Sequence, residues 1–479
     1  MLKPQEIEAL MKKAPQLSKQ TYEQIDNLKV DSQEVMSRQA TINVGTIGHV
    51  AHGKSTLVKA ISGVNTIKHQ REKVRNITIK LGYANAKIYK CPKCPEPICY
   101  HSFGSPKEDD VKCSNSLDKG DPNSEKCNTK LTLMRHLSFV DCPGHDILMA
   151  TMLTGAAVMD AALLLIAADM ECPQPQTKEH LAAIEIMKLN KIIIVQNKID
   201  LIFDKEGKPQ QNYDQIKTFI KGTEAKKSPI VPISAQFKYN IEFLLQLLCT
   251  YIPLPKRDFT SSFQMIVIRS FDINKPGTEI QELKGGVAGG SILKGIIKIG
   301  DEVEIRPGHV EKNSSTGALT CKPLFSKVVS LLAEDNDLLY AIPGGLIGAG
   351  LNLDPYLCKG DKLVGSIIGK PGDLPSVYEE LVVDYHLLKR LVGVQSQNLS
   401  GTDKVQKIYN GEVLLVNVGS TSTGAKVLSV NSGKKQIKIM LLKPVCSSIG
   451  EKVALSRKIG KTWRLIGWGE VQNGRVLIE

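Results

Sequence analysis

Three features of the sequence predict an α/β domain with a mainly parallel, helix-covered sheet, followed by two all-β barrel domains. From about residue 41 to 253, strand-like and helix-like segments alternate, the pattern of a parallel sheet with covering helices. YIPLPKRDF (251–259) carries two prolines and reads as a linker. Beyond it the chain turns to short alternating strands with glycine turns and no long helical periodicity. A length of 479 residues accommodates about three domains. The expected boundaries are a flexible N-terminal extension (1–40), the α/β domain (41–253) with a cysteine-rich insertion at about 90–130, and barrels at 262–372 and 373–479.

Residues 1–40 are polar, with Ile7, Leu10 and Met11 spaced for a short amphipathic helix ahead of a flexible lead. The apolar-leaning run INVGTI (42–47) then opens into GHVAHGKST (48–56) and LVKAISGV. Gly48, His49, Val50, Ala51, His52, Gly53, Lys54, Ser55 and Thr56 match G-x-x-x-x-G-K-[ST]. Gly48 and Gly53 allow a tight turn whose N–H groups point inward at an anion, and the following helix adds its positive end. Lys54 is expected to reach the outer phosphates and Ser55 to ligate Mg²⁺. A chance glycine-rich turn is the bland alternative, and the flanking strand and helix argue against it.

AALLLIAA (161–168) has strand length and reads as a buried parallel strand. It begins a strand–helix–strand unit, VMDAALLLIAAD, QPQTKEHLAAIEIMKLN and KIIIVQNKID. The unit ends in NKID, and a side chain at a strand's C-terminal end can reach a ligand outside the sheet. The Asp200 carboxylate can accept two hydrogen bonds from guanine N1–H and its N2 amine, a donor pair adenine lacks. Asn197 is expected at the opposite base edge and the Lys198 stem over the ring. Ser234, Ala235 and Gln236 follow IVPI, where a backbone N–H is expected at the guanine oxygen. DCPGH (141–145) follows LSFV. Asp141 is expected to hold Mg²⁺ through water, Gly144 to donate its N–H to the γ-phosphate, and His145 to orient attacking water. A surface histidine without a role is the bland reading of His145.

The remaining chain reads as barrels. SFQMIVIRSFDI, GGSILKGIIKIGDEVEIRPG and KLVGSIIGK supply strands of the first. EVLLVNVG, KVLSVNSGKKQIKIMLLKP and RLIGWGEV supply strands of the second, with Asn431-Ser432-Gly433 as a hairpin turn. The split falls near PGDLP (371–375).

Net charge is +13 with a pI near 9.0. Fifteen Lys+Arg against nine Asp+Glu in residues 373–479 place +6 of that in the last domain. This balance fits an acidic partner such as nucleic acid. It comes without an arginine-rich tail, so a folded phosphate-contacting surface is expected. No run of 18 apolar residues exists, so no membrane span is predicted. MLKPQEIEALMKKAPQ lacks a signal-peptide core, and a cytoplasmic protein is the default.

Eleven cysteines are present, five of them within residues 91–127. That spacing is not a secreted disulfide framework. Cys91, Cys94, Cys99, Cys113 and Cys127 offer five candidates for four tetrahedral Zn²⁺ positions. Cys91, Cys94, Cys113 and Cys127 form the expected set, with Cys99 as the alternative ligand. A degenerate, metal-free knuckle stands as the alternative reading.

Taken together, RNITIKLGYANAKIYKC (75–91), DCPGHDILMATMLTGAAVMDAALLLIAA (141–168), CPQPQTKEHLAAIEIMKL (172–189), RSFDINKPGTEIQELKGGVAGGSI (269–292) and WRLIGWGEV (463–471) resemble the translational GTPases. Within them the resemblance is to the gamma subunits of eukaryotic and archaeal translation initiation factor two, over nearly everything after residue 40. It implies an α/β P-loop GTPase domain followed by two all-β barrels, in a GTPase of protein synthesis that cycles between GTP and GDP with Mg²⁺. It implies Thr78 as the first-switch threonine, a ligand of Mg²⁺ and the γ-phosphate, and Tyr83 as a position linked to initiator tRNA. It also implies a zinc knuckle, although the family usually has a second closely spaced cysteine pair and this chain has thirteen residues between Cys113 and Cys127. The implied partners are methionylated initiator tRNA, the alpha and beta subunits of a heterotrimer, the small ribosomal subunit, a GTPase-activating factor and a guanine-nucleotide exchange factor. The tRNA-gripping cleft is expected between the first two domains, near Tyr83 and residues 269–292. Many relatives carry Asp where Ala51 stands, and losing that carboxylate suggests weak intrinsic hydrolysis. Two other functions are weighed: an elongation-type, selenocysteine-specific-like tRNA carrier, and a GTP-binding scaffold that does not itself grip tRNA.

Overall fold

The computed structural model describes residues 28–67, 78, 80–105, 110–116, 126–145, 148–275, 277–312, 319–391, 404–460 and 462–478, with isolated positions between 11 and 25. The α/β domain is built on a seven-stranded sheet of order β3-β2-β4-β1-β5-β6-β7. These strands are β1 (Ile42–Ile47), β2 (Gly82–Lys90), β3 (Tyr100–Gly104), β4 (Thr132–Asp141), β5 (Ala161–Ala167), β6 (Ile192–Asn197) and β7 (Ile230–Pro232). Five strands, from β4 to β7 in the sheet, run parallel, while β2 pairs antiparallel with β4 and β3 antiparallel with β2. Burial explains the sequence of the central strands. β1, β5 and β6 are buried at every position, so each reads as a nearly continuous apolar run instead of an alternating one.

Helices α1 (Lys54–Ser62), α2 (Met149–Ala156), α3 (Pro175–Ile186), α4 (Lys208–Ile220) and α5 (Ile241–Thr250) cover the two faces. One core joins Leu57, Val58 and Ile61 of α1 to Val44 and Phe139 and to Leu244 and Leu248 of α5. The opposite core joins Met152 and Leu153 of α2 to Ile47, Val140 and Leu164. Alternation of the sheet's side chains sends Val44 and Ile47 to different cores. The functional strand ends, Ile47, Asp141 and Asn197, all fall on the sheet's C-terminal edge.

Both following domains close as six-stranded barrels. In the first, the order is β11 (Glu302–Lys312), β16 (Ile367–Gly369), β8 (Gln264–Phe271), β9 (Val287–Lys294), β15 (Ile347–Leu351) and β12 (Leu319–Ala333), closed by β11–β12 pairing, with short β13 (Asn336–Asp337) added to β12 and β10 (Ile297–Lys298) paired with β14 (Tyr340–Ala341). In the second it is β17 (Val377–Leu387), β20 (Gln436–Cys446), β19 (Thr421–Asn431), β18 (Val413–Val418), β21 (Lys452–Ile459) and β22 (Thr462–Ile478), closed by β17–β22. The β19–β20 hairpin is longer than the Asn431-Ser432-Gly433 reading. Its positive-φ residue is Lys435 (φ 53°), and the Asn431 side chain accepts from Lys434 N at 3.2 Å, stabilising a four-residue connection.

Within residues 1–40, expected to be a flexible lead, several described side chains pack against the first barrel. Ile7 and Leu10 lie outside the described residues. Leu17, Leu28 and Val35 are buried in the core of the first barrel, and Leu339 N donates to Gln20 Oε1 at 2.7 Å. Gln39, just before β1, acts as a strand substitute. Its amide donates to Ile342 O at 2.7 Å and Gly344 O at 2.8 Å, and accepts from Ile342 N at 3.2 Å. In the linker, Arg257 Nη2 binds Asp160 Oδ2 at 2.6 Å and Thr41 O at 3.1 Å. These contacts hold the first barrel against the α/β domain. No helix among the described residues is long and apolar enough to cross a membrane.

Candidate nucleotide site and the adjoining cleft

The loop 48–53 links β1 to α1 and curls around a cavity of about 280 Å³. Val50, Ala51, Lys54, Thr78, His145 and Lys198 are among its walls, so the structure brings the phosphate-loop, DCPGH and NKID segments to one place. Gly48 has φ +133°, and a Cβ there would stand 2.4 Å from Leu165 O, so neither conformation nor space admits a side chain. Lys54 Nζ donates to Gly48 O at 3.0 Å and His49 O at 2.7 Å, and burial draws its ammonium down to about 8. Those contacts aim the charged end across the loop mouth. Ala51 is exposed at the loop's tip with φ +62°, a conformation in which Asp and Asn are more at home than Ala. His52 is buried and donates Nδ1–H to Leu165 O at 2.9 Å, while burial lowers its pKa to about 3. Thr56 is exposed on the first turn of α1.

Beside the loop, Asp141 gathers hydroxyls. It is fully buried and accepts from Ser55 Oγ at 2.6 Å, Thr66 Oγ1 at 2.6 Å and Thr46 Oγ1 at 2.9 Å. Ser55 Oγ lies 3.1 Å from Thr78 Oγ1, and because the Ser55 proton goes to Asp141, Thr78 is the donor. Ser55, Thr78 and Asp141 therefore converge as oxygen ligands of the type Mg²⁺ requires. Thr46 and Thr66 escaped the sequence reading, because a single threonine outside any motif gives no signal. Space requires a glycine at Gly144. A Cβ there would stand 2.5 Å from Lys54 Nζ and 2.8 Å from Val50 N, so the DCPGH turn lies directly on the phosphate loop. His145 lines the same cavity.

Asn197 closes β6 and is held by two contacts. It is buried, its amide donates to His52 O at 2.9 Å, and its oxygen accepts from Ala235 N at 3.0 Å. The side chain thus braces the phosphate loop against the Ser234–Gln236 turn, and the Ala235 N–H is engaged there. Gln236 is exposed, and Ser234 is buried and pairs with Tyr239. Lys198, at φ +63°, lines the cavity and sits 3.9 Å from Asp169, with half-buried Asp200 following.

A larger cleft of about 620 Å³ opens between β2 and the first barrel. Lys80 to Asn85 form one wall, and Ile268, Arg269, Phe271 and residues 346–348 form the other. Among the described residues the Tyr83 hydroxyl is buried without a hydrogen-bond partner, and burial raises its pKa. Asp361 ties the walls together, binding Lys80 Nζ at 2.6 Å and Arg269 Nε at 3.0 Å.

The cysteine insertion also assembles. Sγ atoms of Cys91, Cys94, Cys113 and Cys127 all lie within 4.8 Å of one another, with Cys91–Cys127 at 3.8 Å and Cys94–Cys113 at 3.7 Å. Zn–S bonds of about 2.3 Å in a tetrahedron give S···S edges of about 3.8 Å, so the residues fit the ion. The thirteen-residue spacing is no obstacle: bridges Lys112–Lys130 and Ser116–Lys126 make the two arms a hairpin that sets Cys113 and Cys127 side by side. Cys99 is buried in the same core and its carbonyl accepts from Cys91 N at 2.8 Å, but its sulfur is not one of the four that cluster.

Comparison with known proteins accords with this geometry. Residues 39–254 match the family model described as elongation factor Tu GTP binding domain, and residues 379–471 match that of initiation factor eIF2 gamma, C terminal. The chain shares the fold of translation elongation factor SelB from Methanococcus maripaludis (TM-score 0.63, 20% identity, 91% of this chain and 80% of that one). A bacterial selenocysteine-specific elongation factor is similar in fold (TM-score 0.64, 20% identity, 90% of this chain and 58% of that one). A phosphate loop, a guanine motif and two barrels in this order define a translational GTPase, a GTP-binding hydrolase of protein synthesis. Among its relatives are eukaryotic translation initiation factor 2 subunit gamma of Schizosaccharomyces pombe and subunit 3 of Drosophila melanogaster. The first is 60% identical over 92% of this chain and 96% of its own length, the second 56% over 96% and 95%. The chain belongs to the family of gamma subunits of eukaryotic translation initiation factor 2.

Gly144→Ala is expected to displace Lys54 and the loop backbone, because its methyl has no space. Displacements near 1 Å cost about 100-fold in rate. A single-turnover GTP hydrolysis assay should therefore show a loss of at least about tenfold. Wild-type hydrolysis in the variant would contradict the close packing of DCPGH on the loop.

Proposed function

We propose that this subunit carries methionylated initiator tRNA in its GTP state and delivers it to the small ribosomal subunit in the cytoplasm. The observation behind this reading is the 620 Å³ cleft, a size typical of ligand sites, with its apolar walls, two cations and the unpartnered Tyr83 hydroxyl. An apolar amino-acid side chain and a terminal nucleotide are the chemistry such a lining suits. The cleft wall starts two residues after Thr78, whose hydroxyl reaches the nucleotide pocket. A change at the γ-phosphate can thus be felt in the cleft through a few residues of chain.

In this reading Ser55 and Thr78 ligate Mg²⁺, and Asp141 holds it through water. Lys54 and the loop N–H groups hold the phosphates, Gly144 senses the γ-phosphate, and His145 orients the attacking water. Asp200 reads guanine beneath the Lys198 stem, with Asn197 and the Ser234–Gln236 turn as its support. Basic charge on the last domain favours an RNA partner. Alpha and beta subunits, a GTPase-activating factor and an exchange factor complete the assembly, as the family membership leads us to expect. Binding of charged initiator tRNA, uncharged initiator and an elongator tRNA should be compared with GTP analogue and with GDP. Tight binding of the charged initiator alone, at least about tenfold tighter with the GTP analogue, is expected, a coupling of typical allosteric size. Equal, salt-sensitive binding of every RNA in both states would contradict it and favour a scaffold.

The four-sulfur group is proposed to hold one structural Zn²⁺, which would supply folding energy to an insertion too small for a core of its own. Metal analysis of purified chain should give one zinc per molecule, falling below half in Cys113→Ser. Well under one equivalent in the wild type would contradict the assignment.

A further inference from the structure

Helix α3 touches the nucleotide site from behind. His180, only 1% exposed, places Nδ1 3.1 Å from the Gly48 N–H, which donates to it. The carbonyl of the same glycine accepts from Lys54 at 3.0 Å. The first glycine of the phosphate loop is therefore gripped at both of its backbone groups. Its N–H points at the imidazole and away from the cavity, so His180 does not contact phosphate. It fixes the orientation from which the following N–H groups face the ligand. Acceptance requires a neutral ring, and burial lowers the His180 pKa to about 3.

One residue earlier, Glu179 makes a buried ion pair with the second barrel. Its Oε1 accepts from Arg464 Nη1 of β22 at 2.7 Å, with side chains 2% and 13% exposed. Successive helical residues diverge by about 100° around the axis, so one turn of α3 faces both the loop and the barrel. A rigid helix turn held by a buried charge pair cannot shift without moving the imidazole, and a Gly48 N–H that lost its acceptor would be buried and unsatisfied.

We infer that His180 is a positioning residue for the phosphate loop, and that the Glu179–Arg464 pair makes its placement depend on docking of the second barrel, so that this attachment slows nucleotide release. The inference rests on the GTP-binding reading of the site. It extends that reading to a contact outside every phosphate-loop motif.

The test is the release rate of a fluorescent GDP analogue from the full chain, chased with unlabelled GDP. His180→Leu should release about tenfold faster, the effect expected of one unsatisfied buried N–H. His180→Asn, whose side-chain oxygen can take the Nδ1 position, should return to within about threefold of wild type. Glu179→Gln with Arg464→Met removes both charges together, avoiding a lone buried carboxylate. It should also release several-fold faster, and adding His180→Leu should bring little further increase. An unchanged rate in His180→Leu, or equal acceleration in Leu and Asn variants, would overturn the positioning role. An unchanged rate in the charge-pair variant, or fully additive effects, would overturn the coupling. A wild-type chain that retains no GDP would overturn the nucleotide reading and this inference with it.

Discussion

A fully buried carboxylate, Asp141, accepts hydrogen bonds from three hydroxyls that arrive from separate parts of the GTPase domain. Thr46 comes from β1, Ser55 from the first turn of α1, and Thr66 from the segment beyond that helix. A buried carboxylate is costly unless its oxygens are satisfied, so each hydroxyl has a reason to be where it is. The β1–β4 register supplies the geometry, pairing Thr46 directly with Asp141. Through Ser55 the network extends to Thr78, which makes one cluster of oxygens out of two segments far apart in sequence. The phosphate loop, the DCPGH turn and Thr78 all meet at this point.

From there the physical connections lead outward. Thr78 is two residues from Lys80, which binds Asp361 in the first barrel, and Asp361 also holds Arg269 on the far wall of the cleft. The network is partly exposed, so its strength is modest and it can rearrange. Behind the loop, by contrast, Gly48, His180 and Glu179 are buried and Arg464 is nearly so, and that side is closely packed. The phosphate loop therefore has a closely packed support toward the second barrel and an adjustable link toward the first. A carrier that alters its cleft with its nucleotide needs this asymmetry.

Much of this was legible in the chain. The phosphate loop, NKID and DCPGH each combine residue types that one ligand requires in a fixed order, and continuous apolar runs such as AALLLIA carry burial on both faces. The crowding of five cysteines was legible, but not which four converge, nor the hairpin that brings Cys127 beside Cys91. Other features were hidden because they depend on tertiary approach. NKID singles out Asn197, but not its bonds to His52 O and Ala235 N. DCPGH singles out Gly144, but not the closeness of Lys54 Nζ and Val50 N that leaves no room for a Cβ there. Thr66, His180 and Gln39 belong to no motif, and only the packed chain shows what each one holds. The N-terminal lead is polar enough to read as free, but a few apolar side chains, Leu17, Leu28 and Val35, suffice to dock it.

Asp141 joins the phosphate loop to Thr78 through Ser55, and in the proposed function it also holds Mg²⁺ through water. The magnesium dependence of GDP release tests it most directly, comparing wild type with Asp141→Asn before and after chelation of the metal. Wild type should release GDP slowly with Mg²⁺ and at least about tenfold faster without it, since a charge-assisted contact is worth roughly 1.5–3 kcal/mol. Asp141→Asn should release fast in both conditions, with the metal making little difference. A variant that kept the full wild-type response to magnesium would show that the network does not depend on this carboxylate, and the account would fail at its centre.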